Sequence, residues 1–119
     1  MVAAYHLIWT AYGWWLPNDP RGSNSREIRS ASIEGMGELH RDRKRIQPTG
    51  KVIAEFYDAA RGRLKHPLLT LTSDEVLSIA ESFSATVRQR RYTCYACAIL
   101  PDHLHLVIRK HRDKAEEMI

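Results

Sequence analysis

Apolar residues at 53, 56, 57, 60 and 64 follow the i, i+3, i+4, i+7, i+11 spacing of one helix face, so the pattern predicts an amphipathic helix over Val52 to Leu64. His66-Pro67 closes it, because proline disfavours helical geometry in the residue before it. A second stripe, Val76, Ile79, Ala80, Phe83 and Val87, follows Thr72-Ser-Asp-Glu75. That tetrapeptide has the capping-box pattern, in which threonine and glutamate side chains satisfy N–H groups left open at a helix start. The second helix is predicted to run to about Arg91. Ala4 to Tyr12 is rich in aromatic and β-branched types and stops at Gly13, which predicts a strand with Tyr5, Leu7, Trp9 and Ala11 on one face. Tyr92 to Leu100 is apolar on both alternating sets, as in a central strand covered on both sides. His103 to Arg109 alternates cleanly, with Pro101-Asp102 as the turn between the two. Arg112 to Ile119 begins a further helix with Ala115, Met118 and Ile119 apolar.

The first strand and the first long helix are joined by Trp14-Trp-Leu-Pro-Asn-Asp-Pro-Arg-Gly22, an aromatic loop that cannot continue a sheet because its prolines lack the ladder donor. Polar residues and breakers dominate from 23 to 50, so at most one short helix is expected in this excursion. A length of 119 residues suits one domain, and 44% hydrophobic with 27% charged residues excludes disorder and fibrous repeats. No window approaches a membrane span, no signal peptide is evident, and two cysteines are too few for a disulfide framework, which together point to the cytoplasm. The net charge of +4 is concentrated in two zones. Arg21 to Lys65 holds eleven basic and six acidic residues, and Arg88 to Arg112 six and one, each netting +5. Such zones permit a polyanionic partner, although a basic run is usually just a solvated face.

Residues i and i+2 of a strand share a face, so His103 and His105 project together while Leu104, Leu106 and Ile108 enter the core. Their Cα atoms lie about 6–7 Å apart at about 3.3 Å per residue, close enough for two ring nitrogens to reach one metal ion. A two-residue turn places Ala98 opposite His105, leaving room above the pair. Spacing alone reads first as the polar face of a half-exposed strand, because two ligands do not make a metal site and no third appears at fixed offset. Asp102 faces the other way in a regular strand. His6, His40, His66 and His111 have no partner at ligand spacing. Cys94-Tyr-Ala-Cys97 spells CxxC, but regular alternation sets i and i+3 on opposite faces, where the thiols share neither a metal nor a disulfide.

Leu100-Pro-Asp-His-Leu-His-Leu-Val-Ile108 resembles the HUH motif of single-tyrosine transposases, and Tyr5-His-Leu-Ile-Trp9 with Trp15-Leu-Pro-Asn-Asp-Pro-Arg-Gly22 resembles the opening of a branch related to REP-associated tyrosine transposases. The resemblance implies an α+β, ferredoxin-like fold: an antiparallel sheet with helices packed on one face and the histidine pair on the other. It implies a metal-dependent endonuclease and strand transferase on single-stranded or hairpin DNA. In that chemistry His103 and His105 hold Mg²⁺ or Mn²⁺ and a tyrosine attacks the phosphate, forming a 5′-phosphotyrosine link. The family's nucleophilic tyrosine lies on a helix downstream of the histidines, whereas this chain ends fourteen residues after His105, so the C-terminal part is expected to be missing. No internal tyrosine is a convincing catalytic residue: Tyr95 faces away from the pair in a regular strand, Tyr92 is distant, and Tyr57 lies in a helix stripe, while Tyr5 and Tyr12 sit on opposite faces of the first strand, whose unknown position leaves Tyr12 open.

Residues placed as DNA contacts are Trp14 and Trp15, for stacking on unpaired bases, and Arg21, Arg41, Arg43, Lys44, Arg45 and Arg109, for phosphates. Some relatives build composite sites between protomers, which adds a homodimer to the expected partners. Two other readings stay open: a non-catalytic module gripping single-stranded or hairpin DNA, and a phosphoesterase in which a metal-bound water attacks.

Overall fold

A computed structural model describes residues 1–118. The architecture is α+β, with strand β1 (Ala4–Thr10), helices α1 (Ala31–Glu34), α2 (Gly50–Arg61) and α3 (Ser73–Arg90), strands β2 (Cys94–Ile99) and β3 (His103–Arg109), and a 3-10 turn at Ala115–Glu117. The three strands form one antiparallel sheet in the order β1-β3-β2. Internal packing divides the described residues into two units: residues 1–11 with 70–118, and residues 12–69.

The first unit holds the sheet and α3. Alternation along β3 buries Leu104, Leu106 and Ile108 and leaves the residues between them half-buried. Leu106 and Ile108 pack with Tyr92 and Met118 into a core joined by Tyr5, Leu7 and Val87. The expected face of β1 is therefore the core face at Tyr5 and Leu7. α3 begins as its capping box requires: the Glu75 backbone N–H donates to Thr72 Oγ1, and the Thr72 N–H donates to a Glu75 carboxylate oxygen at 2.7 Å. It ends at Arg91, whose left-handed backbone (φ 57°) stops the helix before the chain turns into β2.

The structure corrects two expectations here. The strand between two others is β3, while the wholly apolar β2 lies at an edge and is exposed along most of its length. Apolar character on both faces does not determine how many neighbours a strand finds. The helix expected from Arg112 is only the 3-10 turn, since one turn fixes several dihedrals for few hydrogen bonds. Met118 nonetheless reaches the core, and Ile119 lies outside the described residues.

The second unit packs Leu16, Ile33, Phe56, Tyr57 and Ala60 into its own core. α2 supplies three of these from the predicted stripe, and α1 is the one short helix of the 23–50 stretch. Asp19 is fully buried, and its carboxylate accepts from the Arg21 guanidinium at 2.7 and 2.9 Å and from the Tyr57 hydroxyl. Burial pushes Asp19 up, but the hydrogen bonds from Arg21 and Tyr57 outweigh it and hold the carboxyl below its ordinary value. Gly22 has φ +92°, and a Cβ there would stand 2.0 Å from the Asp42 carbonyl oxygen, so only glycine allows the Ser23–Arg41 segments to meet.

Candidate metal centre and nucleic-acid face

β3 and its neighbours position the histidines. Register pairs His105 with Ile8 of β1 and Ala98 of β2, as the two-residue turn anticipates, and the His103 carbonyl accepts from the Leu100 N–H at 2.8 Å. The His103 and His105 rings meet edge to face with centroids 5.0 Å apart on the side opposite the core. Ala98 and Ala96 put only methyl groups beside them on β2.

Two further residues join the pair. His6 lies opposite Val107, one diagonal step from His105, and its Nε2 stands 2.9 Å from His105 Nδ1 with the rings stacked at 5.1 Å. His6 therefore has a partner, contrary to the expectation from spacing, because strand pairing brings together residues 99 apart in the chain. Asp102 turns at the hairpin so that Oδ1 lies 2.7 Å from His103 Nδ1, and it does not face away as a regular strand would require. A carboxylate only accepts, so the His103 Nδ1 donates to Asp102, which in a neutral imidazole makes Nε2 the unprotonated nitrogen. This carboxylate–imidazole pairing is the usual way to orient a metal-binding histidine. Among the described residues no three His, Cys, Asp or Glu side chains converge in metal-holding geometry. The donor set is the histidine pair, with His6 and Asp102 behind it.

The expected DNA contacts belong to both units, Trp14 to Arg45 to the second and Arg109 to the first. Trp14 packs on the core of its unit, with Nε1 donating to the Leu69 carbonyl. The Arg21 guanidinium lies 3.7 Å from the centre of the Trp15 ring and forks onto Asp19, so its charge is matched within the fold. Arg41, Arg43 and Arg45 are exposed and Lys44 is half-buried. Arg109 lies at the far end of β3 and lines a concavity with Arg90, Arg91, Lys110, Arg112 and Tyr95. Apart from Arg109, this basic cluster was visible in the sequence only as local charge.

A register shift between Cys94 and Ala96 changes the reading of β2. Cys94 pairs with Ile108 and Ala96 with Val107, which makes Tyr95 the extra residue of a β-bulge. Cys97 then pairs with Leu106. Both cysteines thus lie on the core-side face, contrary to the expectation from unbroken alternation. Tyr95 likewise escapes that alternation and is exposed at the basic concavity. The Tyr57 hydroxyl is committed to Asp19, and the Tyr92 hydroxyl donates to Asp113 at 2.8 Å. Tyr12 accepts from the His66 N–H at 3.3 Å. Searches of family models, curated proteins and solved structures return no match to this chain.

Proposed function

We propose that this chain is a metal- and DNA-holding domain like that of transposase-type HUH endonucleases and strand transferases, of ferredoxin-like type, acting on single-stranded or hairpin DNA. The observation that carries this reading is the projection of His103 and His105 from one face of the central strand, next to alanines and away from the core. The histidine pair offers two nitrogen donors to a divalent cation such as Mg²⁺ or Mn²⁺, whose remaining positions water and phosphate oxygens would fill. When bound, such a cation polarises the scissile phosphate as a Lewis acid. Asp102 fixes the tautomer of His103. His6 does the same for His105 in the tautomer where His105 Nδ1–H donates to His6 Nε2, so that Nε2 is the unprotonated nitrogen of both rings. Basic side chains around Arg109, at the other end of the same strand, offer a path for the phosphate backbone.

The second reading, a binding module without catalysis, is favoured by the tyrosine hydroxyls: those of Tyr57 and Tyr92 are engaged on carboxylates distinct from the histidine cluster. The test is incubation of the chain with a 5′-labelled DNA hairpin and Mn²⁺. The proposal expects Mn²⁺-dependent binding with no covalent adduct, because the Tyr57 and Tyr92 hydroxyls are engaged on Asp19 and Asp113; an adduct would assign attack to another internal tyrosine. Free cleaved DNA without adduct would instead establish attack by water and overturn the phosphotyrosine reading.

A further inference from the structure

We propose that Cys94 and Cys97 form a closable dithiol, oxidised to an internal disulfide by exchange with a low-molecular-weight disulfide such as glutathione disulfide. The proposal does not depend on the metal or DNA reading. It rests first on register: the cysteines pair with Ile108 and Leu106, two residues apart on β3 and on the same face. The bulge compresses three residue steps of β2 into two of β3, so their Cα atoms are separated by about 6.6 Å at ~3.3 Å per step. That lies inside the roughly 4.4–6.8 Å window of natural disulfides.

Side-chain positions support the same conclusion. The Cys94 thiol leans along the strand and donates to the Ala96 carbonyl, with sulfur to oxygen 3.4 Å, one peptide short of Cys97. Both thiols are free and exposed, and both open into one groove between α3 and the sheet, lined by Val76, Phe83 and Val87. Burial, and then the negative charge Cys94 would carry, push the Cys97 thiol above its ordinary value, an interaction that requires the two groups to be close.

The exchange balances without further reagents. One cysteine sulfur attacks the small disulfide and releases one thiol; the second cysteine attacks the mixed disulfide and releases the other. Two S–H bonds break and one S–S bond forms, the two electrons reduce the small disulfide, and the two protons leave on its thiols. Closure ties off the bulge on the strand whose Ala98 faces His105.

The experiment equilibrates the chain with glutathione redox buffers, followed by alkylation and peptide mass mapping, once under native conditions and once in denaturant. The expected result is a Cys94–Cys97 disulfide whose equilibrium constant is about tenfold or more higher in the folded chain, since the fold holds the thiols together. A Cys97→Ser/Ala98→Cys variant moves one thiol to the other face and is expected to lose that native-state advantage. Separate glutathione adducts on both cysteines, cross-linked dimers, or an equilibrium no better than in denaturant would each overturn the proposal.

Discussion

His6 Nε2 and His105 Nδ1 stand 2.9 Å apart across β1 and β3, linking the two strand ends of the chain through a single imidazole pair. One ring must donate and the other accept, so each sets the tautomer of its partner. Asp102 does this for His103 on the other side of the pair.

His6→Ala and Asp102→Ala are each expected to weaken Mn²⁺ binding by roughly tenfold or more, the usual effect of removing a group that orients a ligand. His6→Gln, which keeps an acceptor, is expected to recover part of the loss. Titration of Mn²⁺ by electron paramagnetic resonance checks this order, and wild-type affinity in all three variants would leave His6 and Asp102 without a role in holding the cation.

The Asp19 cluster sets a pH dependence. Its carboxyl titrates below the ordinary 3.8 when folded, so its contribution is complete above that value and is lost as pH falls through the lower folded one. Asp19→Asn leaves Arg21 and Tyr57 without their charged acceptor and is expected to cost about 2–4 kcal/mol. Urea unfolding at pH 7 and in acid measures both: the difference between wild type and variant should shrink only in the acid range.

Gly22→Ala tests the close approach behind that cluster. A Cβ 2.0 Å from a backbone oxygen, at φ +92°, forces the Gly22 and Asp42 segments apart. Destabilisation of about 2 kcal/mol or more is expected, against about 1 kcal/mol for Thr72→Ala, which removes a helix cap. Denaturation midpoints compare the two.

Arg90→Gln with Arg109→Gln removes two charges from the basic concavity. Single-stranded DNA binding should weaken, and its logarithmic salt slope should fall by about 0.7 for each phosphate that the variant no longer neutralises. An unchanged slope would place the phosphate path elsewhere.

Local patterns and pairings differed in how well the sequence disclosed them. The α2 and α3 stripes, the Thr72 capping box and the alternation of β3 were legible because each depends on residues within a few positions. The same is true of the His103–His105 pair. What the pattern hid depends on pairing between distant segments. β2 reads as a central strand yet has one neighbour, and its bulge at Tyr95 moves Cys94 to the face of Cys97. His6 meets His105 from 99 residues away, and Tyr57 meets Asp19 from 38. Neither separation leaves a periodic trace in the sequence.

In the proposed reading, His103 and His105 hold a divalent cation that brings DNA to this face. The most direct measurement is hairpin DNA affinity with and without Mn²⁺ for the wild type and the His103→Ala/His105→Ala double variant, at fixed ionic strength. A Mn²⁺-dependent gain in affinity is expected for the wild type and not for the folded double variant. The same gain in both proteins would show that the histidine pair does not hold the cation.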